Sequence, residues 1–309
     1  VESKLNTYRS WLDFLQTVES YFKNKAYLKV CTPTLVASGA MESSLHPYKI
    51  EGKSLQLPTS PEFSLKKLWL SGFSPTIFEV SPSFRAEELG GMHLDEFTML
   101  EFYDAKSSFQ ELIHITNDFL CSTLNIEPHV LKVLNVNEIF EAFVGFKLEP
   151  SSDVMFLKKA LDFHGIVFPK NASWSDLYHI LYLEKIEPSL NFDLIALKNY
   201  PPQLSALAKI NSDGWSDRVE FYYRGVELGN GYDELLDADE ILVRWKAENE
   251  LRASEGLTPH PLDLEFIELH RARKIESGVG MAIGLERLFW LTRRSPPKHI
   301  KVWPFGGDQ

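Results

Sequence analysis

Only two cysteines occur in 309 residues, Cys31 and Cys121, and they stand 90 positions apart. That spacing makes neither a metal-binding pair nor a disulfide framework, so the expected setting is a reducing, cytoplasmic one. No apolar run approaches the roughly 20 residues that a membrane-spanning helix needs. The opening stretch "VESKLNTYRSWLDFLQ" lacks the basic-then-apolar order of a signal peptide. Positive charge is also short: 32 Lys and Arg stand against 43 Asp and Glu, a net charge of −11. Broad binding to a phosphate backbone relies on the opposite excess, which leaves at most a local basic patch for nucleic acid. There is no G-x-x-x-x-G-K-[ST] loop, no H-E-x-x-H, no C-x-x-C and no G-x-S-x-G. "DADEILVRW" lacks the glycine of a calcium loop, and "GVGMAIG" (278–284) does not follow the dinucleotide-binding pattern.

What is present is an ordinary globular composition, 44% hydrophobic and 24% charged, with no linker-like shift, repeat or low-complexity tract. A single domain over 1–309 is expected. Helical periodicity over 5–25 places Leu5, Tyr8, Trp11, Leu12, Leu15, Val18, Tyr21 and Phe22 on one face. "AYLKVCTPTLV" (26–36) reads as a strand broken by Pro33, and 54–58 as a short extended piece. "TSPEFSLKKLWLSG" (59–72) reads as a helix capped by Thr59 or Ser60, with Pro61 in its first turn and Gly72 at its stop. Strands are expected at 76–85 and 96–105, joined by a loop of about ten residues. Helices follow at 107–124, 136–146, 151–163 and 174–186. "RVEFYYRGVELGNGYDEL" (218–235) reads as a hairpin with glycines at its turns, then a helix from Asp237 to 254, then a buried strand running into a helix over 278–292. Long antiparallel strands interrupted by helical blocks give an α+β class with a central antiparallel sheet flanked by helices.

Charges gather at the strand ends. In "SFRAEELGGMHLDEFTMLEFY" (83–103), Arg85 closes one strand and Glu87 and Glu88 open the loop. Glu227 and Glu234 flank Gly229 and Gly231, and Arg287 follows a glycine-rich strand. Guanidinium forks bind phosphate oxygens two at a time, carboxylates hold Mg²⁺ together with substrate phosphates, and glycines admit a close planar base. Each residue also has an ordinary explanation: Arg85 as a strand-end charge, Glu62 in a capping box with Thr59, Glu87, Glu88 and His93 as solvated loop residues, and Phe97 and Tyr103 as core. Glu227 and Glu234 could salt-bridge neighbours, and Arg287 could bond Glu286 or a helix end. The chemical reading requires them to converge.

The order of these segments resembles the class II lysyl-tRNA synthetase-like family. "VCTPTLV" resembles its first motif, with Pro33 at the dimer interface, and 83–103 resembles its second, F-R-x-E with a loop and a returning strand. "GMAIGLERL" resembles the third, with Ala282 where a glycine often stands. "TSPEFSLKKL" and "VELGNGYDEL" are similar to the lysine-pocket segments. The first helix leads directly into the first motif, as in the family's stand-alone paralogues, which join (R)-β-lysine to elongation factor P; "GLTPHPLD" (256–263) and the short tail after Arg287 are similar to those paralogues too. The loop departs from related enzymes, with Leu94 and Asp95 in place of an Asn-Pro and no arginine near His93. Glu286 stands where an aspartate is common.

The resemblance implies a homodimeric ligase without an anticodon-binding domain, using ATP and Mg²⁺ to activate lysine or (R)-β-lysine. It implies Arg85 on the α-phosphate and substrate carboxylate, and Arg287 on the γ-phosphate with His93 assisting. Glu87, Glu88, Leu228 and Gly284 would lie at the nucleotide, Phe97 beneath the adenine, and Glu227 and Glu234 at the metal. Glu234 and Tyr103 would read the side-chain ammonium and Glu62 the other amino group. Ser60, Pro61, Asn230 and Tyr232 would line the wall. The methyl of Ala282 would narrow the space by the amino end, favouring a β-amino acid. Two alternatives stay open: a truncated enzyme charging tRNA or another carrier, and a non-catalytic regulatory paralogue.

Overall fold

The structure, a computed structural model, describes residues 4–86, 94–127 and 131–293. Its backbone contacts divide into two compact units, one formed by the residues up to Ile126 with those from Leu235 onward, the other by Glu127–Glu234.

The first unit starts with α1 (Lys4–Asn24) and the two-residue strand β1 (Leu28–Lys29), followed by α2 (Glu62–Leu70), β2 (Thr76–Phe84), β3 (Glu96–Asp104) and α3 (Phe109–Leu124). After the second unit's elements, β4 to β7 and α4 to α6, the first unit resumes with α7 (Ala238–Ser254), α8 (Leu264–Arg271), β8 (Val279–Gly284) and α9 (Leu285–Arg293). Its sheet runs β1-β2-β3-β8. β2 and β3 pair antiparallel over nine residues, Thr76 opposite Asp104 through Phe84 opposite Glu96. β3 and β8 pair antiparallel from Met99 opposite Gly284 to Asp104 opposite Val279. Side chains alternate across a pleated strand. One face of β3 therefore carries the buried Leu100 and Phe102, and Phe102, Phe78 and Phe119 surround Phe22 with ring centroids 4.9–5.3 Å from its own. The opposite face carries Phe97, Met99, Glu101 and Tyr103 beside Gly280, Ala282 and Gly284 of β8.

Two expectations change here. The run 26–36 keeps only Leu28–Lys29 as a strand, parallel to β2, so the sheet is mixed at that edge. Pro33 has no N–H to offer, and the Thr32 N–H and hydroxyl go instead to the buried Glu79 carboxylate, both at 2.8 Å. The apolar face of α1 is in fact two stripes. Trp11, Val18 and Phe22 are buried, whereas Leu5, Tyr8 and Leu12 are 56%, 36% and 48% exposed.

The second unit packs α4 (Val136–Val144), α5 (Val154–Phe163) and α6 (Trp174–Leu181) around a core of Phe140, Leu157, Leu161, Tyr178 and Leu197. Its sheet runs β7-β6-β5-β4, with β4 (Lys132–Asn135), β5 (Ile195–Tyr200), β6 (Ser216–Tyr223) and β7 (Val226–Asp233). β4 pairs parallel to β5 and the others are antiparallel. Neither β4 nor β5 stands out by pattern: β4 is four residues long and runs directly into α4, and "IALKNY" mixes β-branched with helix-favouring residues. The hairpin turn is Arg224-Gly225, both at positive φ (52° and 78°), as a two-residue connection demands. Gly229 and Gly231 lie inside β7 rather than at a turn.

Candidate active site

Arg85 follows the last residue of β2, and its N–H bonds the Asp95 carbonyl at 2.9 Å, extending the β2–β3 ladder by one rung. Its side chain is held on two sides. Nε donates to the Thr59 carbonyl at 3.1 Å, and the guanidinium carbon lies 5.2 Å from the centre of the Phe97 ring. Phe97 is thus half-buried on the site face as an aromatic platform, beyond an ordinary core role. Arg287 is half-buried in the first turn of α9, directly after Gly284 ends β8. Its neighbour Glu286, 4% exposed, accepts from the Thr98 N–H at 2.8 Å and the Thr98 hydroxyl at 2.9 Å, which fixes that turn against β3. Arg85 and Arg287 therefore stand at one end of this sheet, on the two strands that flank β3. At about 4.8 Å per strand their backbones are roughly 10 Å apart across the sheet, a span suited to a folded polyphosphate.

The same arginine joins this end to the segment before α2. Thr59 does not cap the helix: its hydroxyl donates to the Gly39 carbonyl at 2.6 Å, while Ser60 Oγ accepts the Glu62 N–H at 3.3 Å and Pro61 precedes the first turn. Glu62 is not the acid of a capping box either, since its carboxylate meets Lys66 Nζ at 2.7 Å. Lys66 is 2% exposed and lies 5.7 Å from the Tyr103 ring centre. Tyr103, 2% exposed, packs with Trp69, Leu65 and Ile77 and donates its hydroxyl to Glu101. Tyr103 is thus packed on its apolar side, and its polar end orients Glu101, opposite Ala282. Ala282 is half-buried on that face, and among the described residues no atom lies within 4 Å of where a Cβ on Gly284 would point. Lys66 and Glu101 were not singled out by sequence; the i,i+4 spacing of Glu62 and Lys66 was the available signal.

A loop before α2 shares this pocket. Ser38, Gly39, Glu42, Thr59, Ser60 and Glu62 line one cavity. The loop is anchored to α7 and the segment after it. Ser43 N–H donates to Glu248 at 2.7 Å, Arg252 donates to the Ser43 and Leu45 carbonyls, and His260 Nε2 lies 3.0 Å from the Glu42 carbonyl oxygen. Burial and the Arg252 charge push the His260 imidazole down to about 4, and burial does the same to His270. A histidine kept neutral in the fold contributes stability that is complete above the unfolded value near 6.5 and is lost as pH falls toward 4. The wild-type melting temperature is therefore expected to exceed that of His260→Gln by a constant margin above pH 7, shrinking steadily toward pH 4.5 in a thermal-denaturation series.

In the second unit the β6–β7 register carries the remaining residues. Tyr232 pairs with Arg218, Asn230 with Glu220 and Glu227 with Tyr222, with a bulge between Phe221 and Tyr222. The extra residue on β7 is Leu228, 1% exposed, and it returns Glu227 to the face of Asn230 and Tyr232. The Glu227 charge helps raise the Tyr182 and Tyr222 hydroxyls, after burial and Glu220. Glu234 is 1% exposed just past β7, where it bridges to Ala208.

One expectation is corrected. Glu227 and Glu234 are seven residues apart on an extended chain, roughly 20 Å at about 3.3 Å per residue, so they do not hold one ion together. The carboxylate near Glu227 is Glu220 on the neighbouring strand, a diagonal neighbour at about 7–8 Å. Glu220 is oriented by Arg218 at 2.7 Å and the Tyr222 hydroxyl at 2.6 Å. Among the described residues no group of three or more His, Cys, Asp or Glu could hold a metal. A two-carboxylate site fits Mg²⁺ when substrate phosphates complete the shell. Glu87, Glu88 and His93 lie outside the described residues.

Comparison with known proteins agrees with this layout. The family described as tRNA synthetases class II (D, K and N) matches residues 5–304. Among the similar curated proteins, the elongation factor P–(R)-β-lysine ligase of Haemophilus ducreyi is 32% identical over 304 residues, covering 94% of this chain and 91% of that protein. The ligase of the same name from Histophilus somni is 33% identical, covering 89% and 87%. The elongation factor P–(R)-β-lysine ligase homologue of Aquifex aeolicus is 32% identical, covering 91% and 94%. With a match across nearly its whole length, the chain belongs to the class II tRNA synthetase family of the D, K and N type.

Proposed function

We propose that this chain is an ATP-dependent, AMP-forming ligase. It activates lysine or (R)-β-lysine as an aminoacyl-adenylate and passes it to a lysine side chain of elongation factor P. The observation that carries the reading is the placement of Arg85, between the Phe97 ring and the carbonyl of Thr59, which adjoins Ser60, Pro61 and Glu62. One guanidinium at that point can serve both a phosphate and the carboxylate that attacks it.

In the first step a carboxylate oxygen of the amino acid attacks the α-phosphorus of ATP in line, and pyrophosphate leaves. Arg85 steadies the charge that develops on the α-phosphoryl oxygens and aligns the carboxylate; Arg287 holds the γ-phosphate, assisted by His93. Phe97 supports the adenine, with Glu87 accepting from its amino group and Glu88, Leu228 and Gly284 beside it. Glu62 receives the amino group nearer the carboxylate, Glu234 with Tyr103 receives the side-chain ammonium, and Asn230, Tyr232 and Ser60 line the wall. A buried ammonium requires such partners because an unpaired charge is costly. Mg²⁺, held by Glu227 with Glu220 beside it, would neutralise phosphate charge when bound. In the second step the deprotonated ε-amine of the acceptor lysine attacks the mixed anhydride, an amide forms and AMP departs. Labelled amino acid offered to elongation factor P and to tRNA together tests the acceptor. Label is expected in the protein, as an amide on one lysine, and label only in tRNA would overturn the assignment.

Ala282 sits on the site face, and its methyl narrows the amino end. Ala282→Gly is expected to move the ratio of kcat/KM for α-lysine over (R)-β-lysine upward by about tenfold, on the scale of one methyl group's worth of pocket discrimination. Separate kinetics with each isomer check this. The chain acts as a single catalytic domain in the cytoplasm, which its two free cysteines suit; among the described residues no helix is long and apolar enough to cross a membrane. It works as a homodimer. The exposed stripe Leu5, Tyr8 and Leu12, with Leu28 and Leu35 at 43% and 53% exposed, is the apolar surface a partner would cover. Leu12→Arg is expected to halve the mass measured by sedimentation while the fold stays intact.

A further inference from the structure

We propose that Glu42 is a specificity-determining residue: together with Glu62 it receives the substrate ammonium nearer the reacting carboxylate. The inference rests on the reaction proposed above and adds a carboxylate that neither the motifs nor the pocket segments identify.

Four observations carry it. Glu42 and Glu62 line the same cavity, whose other polar walls are Ser38, Thr59, Ser60 and Ser64. Glu62 is already matched by Lys66 at 2.7 Å, whereas among the described residues no cation lies within ion-pair distance of Glu42, whose carboxylate accepts from its own N–H. Two carboxylates thus face one cavity, and only that of Glu62 has an ion-pair partner within reach among the described residues. Behind the Gly39 wall of the cavity, the buried Gln56 Oε1 has no hydrogen-bond partner among the described residues and comes within 3.1 Å of where a Cβ on Gly39 would lie. The lining itself, with two carboxylates and the hydroxyls of Ser38, Ser60 and Ser64, offers acceptors to a donor-rich, positive group. Finally, Glu42 is held in place by its backbone, through His260 on its carbonyl, Glu248 on the Ser43 N–H and Arg252 on the Ser43 and Leu45 carbonyls. A carboxylate fixed in advance loses little freedom on binding. Burial and the Glu62 charge raise the Glu42 carboxyl, with Arg85 opposing, so each of these charges is felt by the others. An arriving ammonium relieves the repulsion between the two carboxylates. A substrate without that amino group leaves it in place.

The probes are (R)-β-lysine, α-lysine and 6-aminohexanoate, which keeps the distal amine and lacks the one near the carboxylate. Amino-acid-dependent pyrophosphate exchange and ligand-induced thermal stabilisation are measured for wild type, Glu42→Gln and Glu42→Asp. Wild type is expected to prefer its better diamine over 6-aminohexanoate by at least 100-fold in kcat/KM. In Glu42→Gln the ratio is expected to fall below tenfold, through KM for the diamine, with KM for ATP within twofold. The thermal shift given by the diamine should shrink in parallel, and Glu42→Asp should fall between. A wild type that discriminates, with both variants discriminating equally well, overturns this proposal alone. A wild type that exchanges with neither diamine overturns the proposed reaction and this inference with it.

Discussion

Arg85→Ala is expected to lower amino-acid-dependent pyrophosphate exchange by at least 10²–10³-fold while the melting temperature stays within a few degrees of wild type. A preorganised donor aimed at charge that appears only in the transition state is worth about 3–4 kcal/mol. Arg85 is half-buried at the end of β2, so removing its side chain opens no core cavity. Its contacts include a bond to the Thr59 carbonyl and the Phe97 ring, together about 1–2 kcal/mol. Arg85→Lys restores the charge but not the planar fork, and is expected to recover little activity. Near-normal exchange in Arg85→Ala would remove the residue from the chemistry.

The second large effect is expected at Glu234. The residue is 1% exposed just past β7, so a charged group bound against its carboxylate would be stripped of water. Removing one partner of a buried ion pair costs about 3–5 kcal/mol, because the other is left uncompensated. Glu234→Gln is close in shape and hydrogen-bonding reach but carries no charge. It is expected to reduce kcat/KM for lysine or β-lysine by 10²–10³-fold and to leave KM for ATP within twofold. It should also erase most of the preference for lysine over norleucine, which differs by the terminal ammonium. Competition kinetics with the two amino acids measure this, and an unchanged preference would move the ammonium site elsewhere.

The contrast between Arg85 and Glu234 on one side and Glu42, Glu101 and Glu220 on the other shows what a sequence can tell. β2, β3, β8 and the helices that follow them are legible because their signals are local: alternation over nine residues, Asp237 capping α7, Gly72 past the end of α2. The arginines stand out as charges beside apolar strands. Roles that depend on register are not legible. Glu220 and Glu227 become neighbours only because a bulge at Leu228 shifts β7 against β6, and the linear spacing pointed to Glu234 instead. Glu42 lies in an unpatterned loop, and it becomes a pocket residue through bonds from Glu248, Arg252 and His260, more than 200 positions away. The helical period of α1 was readable, but not its division into a buried and an exposed stripe, since each stripe is apolar. A strand within 26–36 was expected, but its early end escaped because the Thr32 N–H is taken by the Glu79 carboxylate, a long-range contact that no local propensity encodes.

The central claim is that this cleft activates a lysine-type amino acid with ATP. Its most direct measurement is exchange of labelled pyrophosphate into ATP by the purified chain, across α-lysine, both β-lysine enantiomers and no amino acid. The account predicts exchange that requires one of the lysine isomers and disappears in Arg85→Ala. Exchange that needs no amino acid, or none with any isomer from a folded protein, would contradict it.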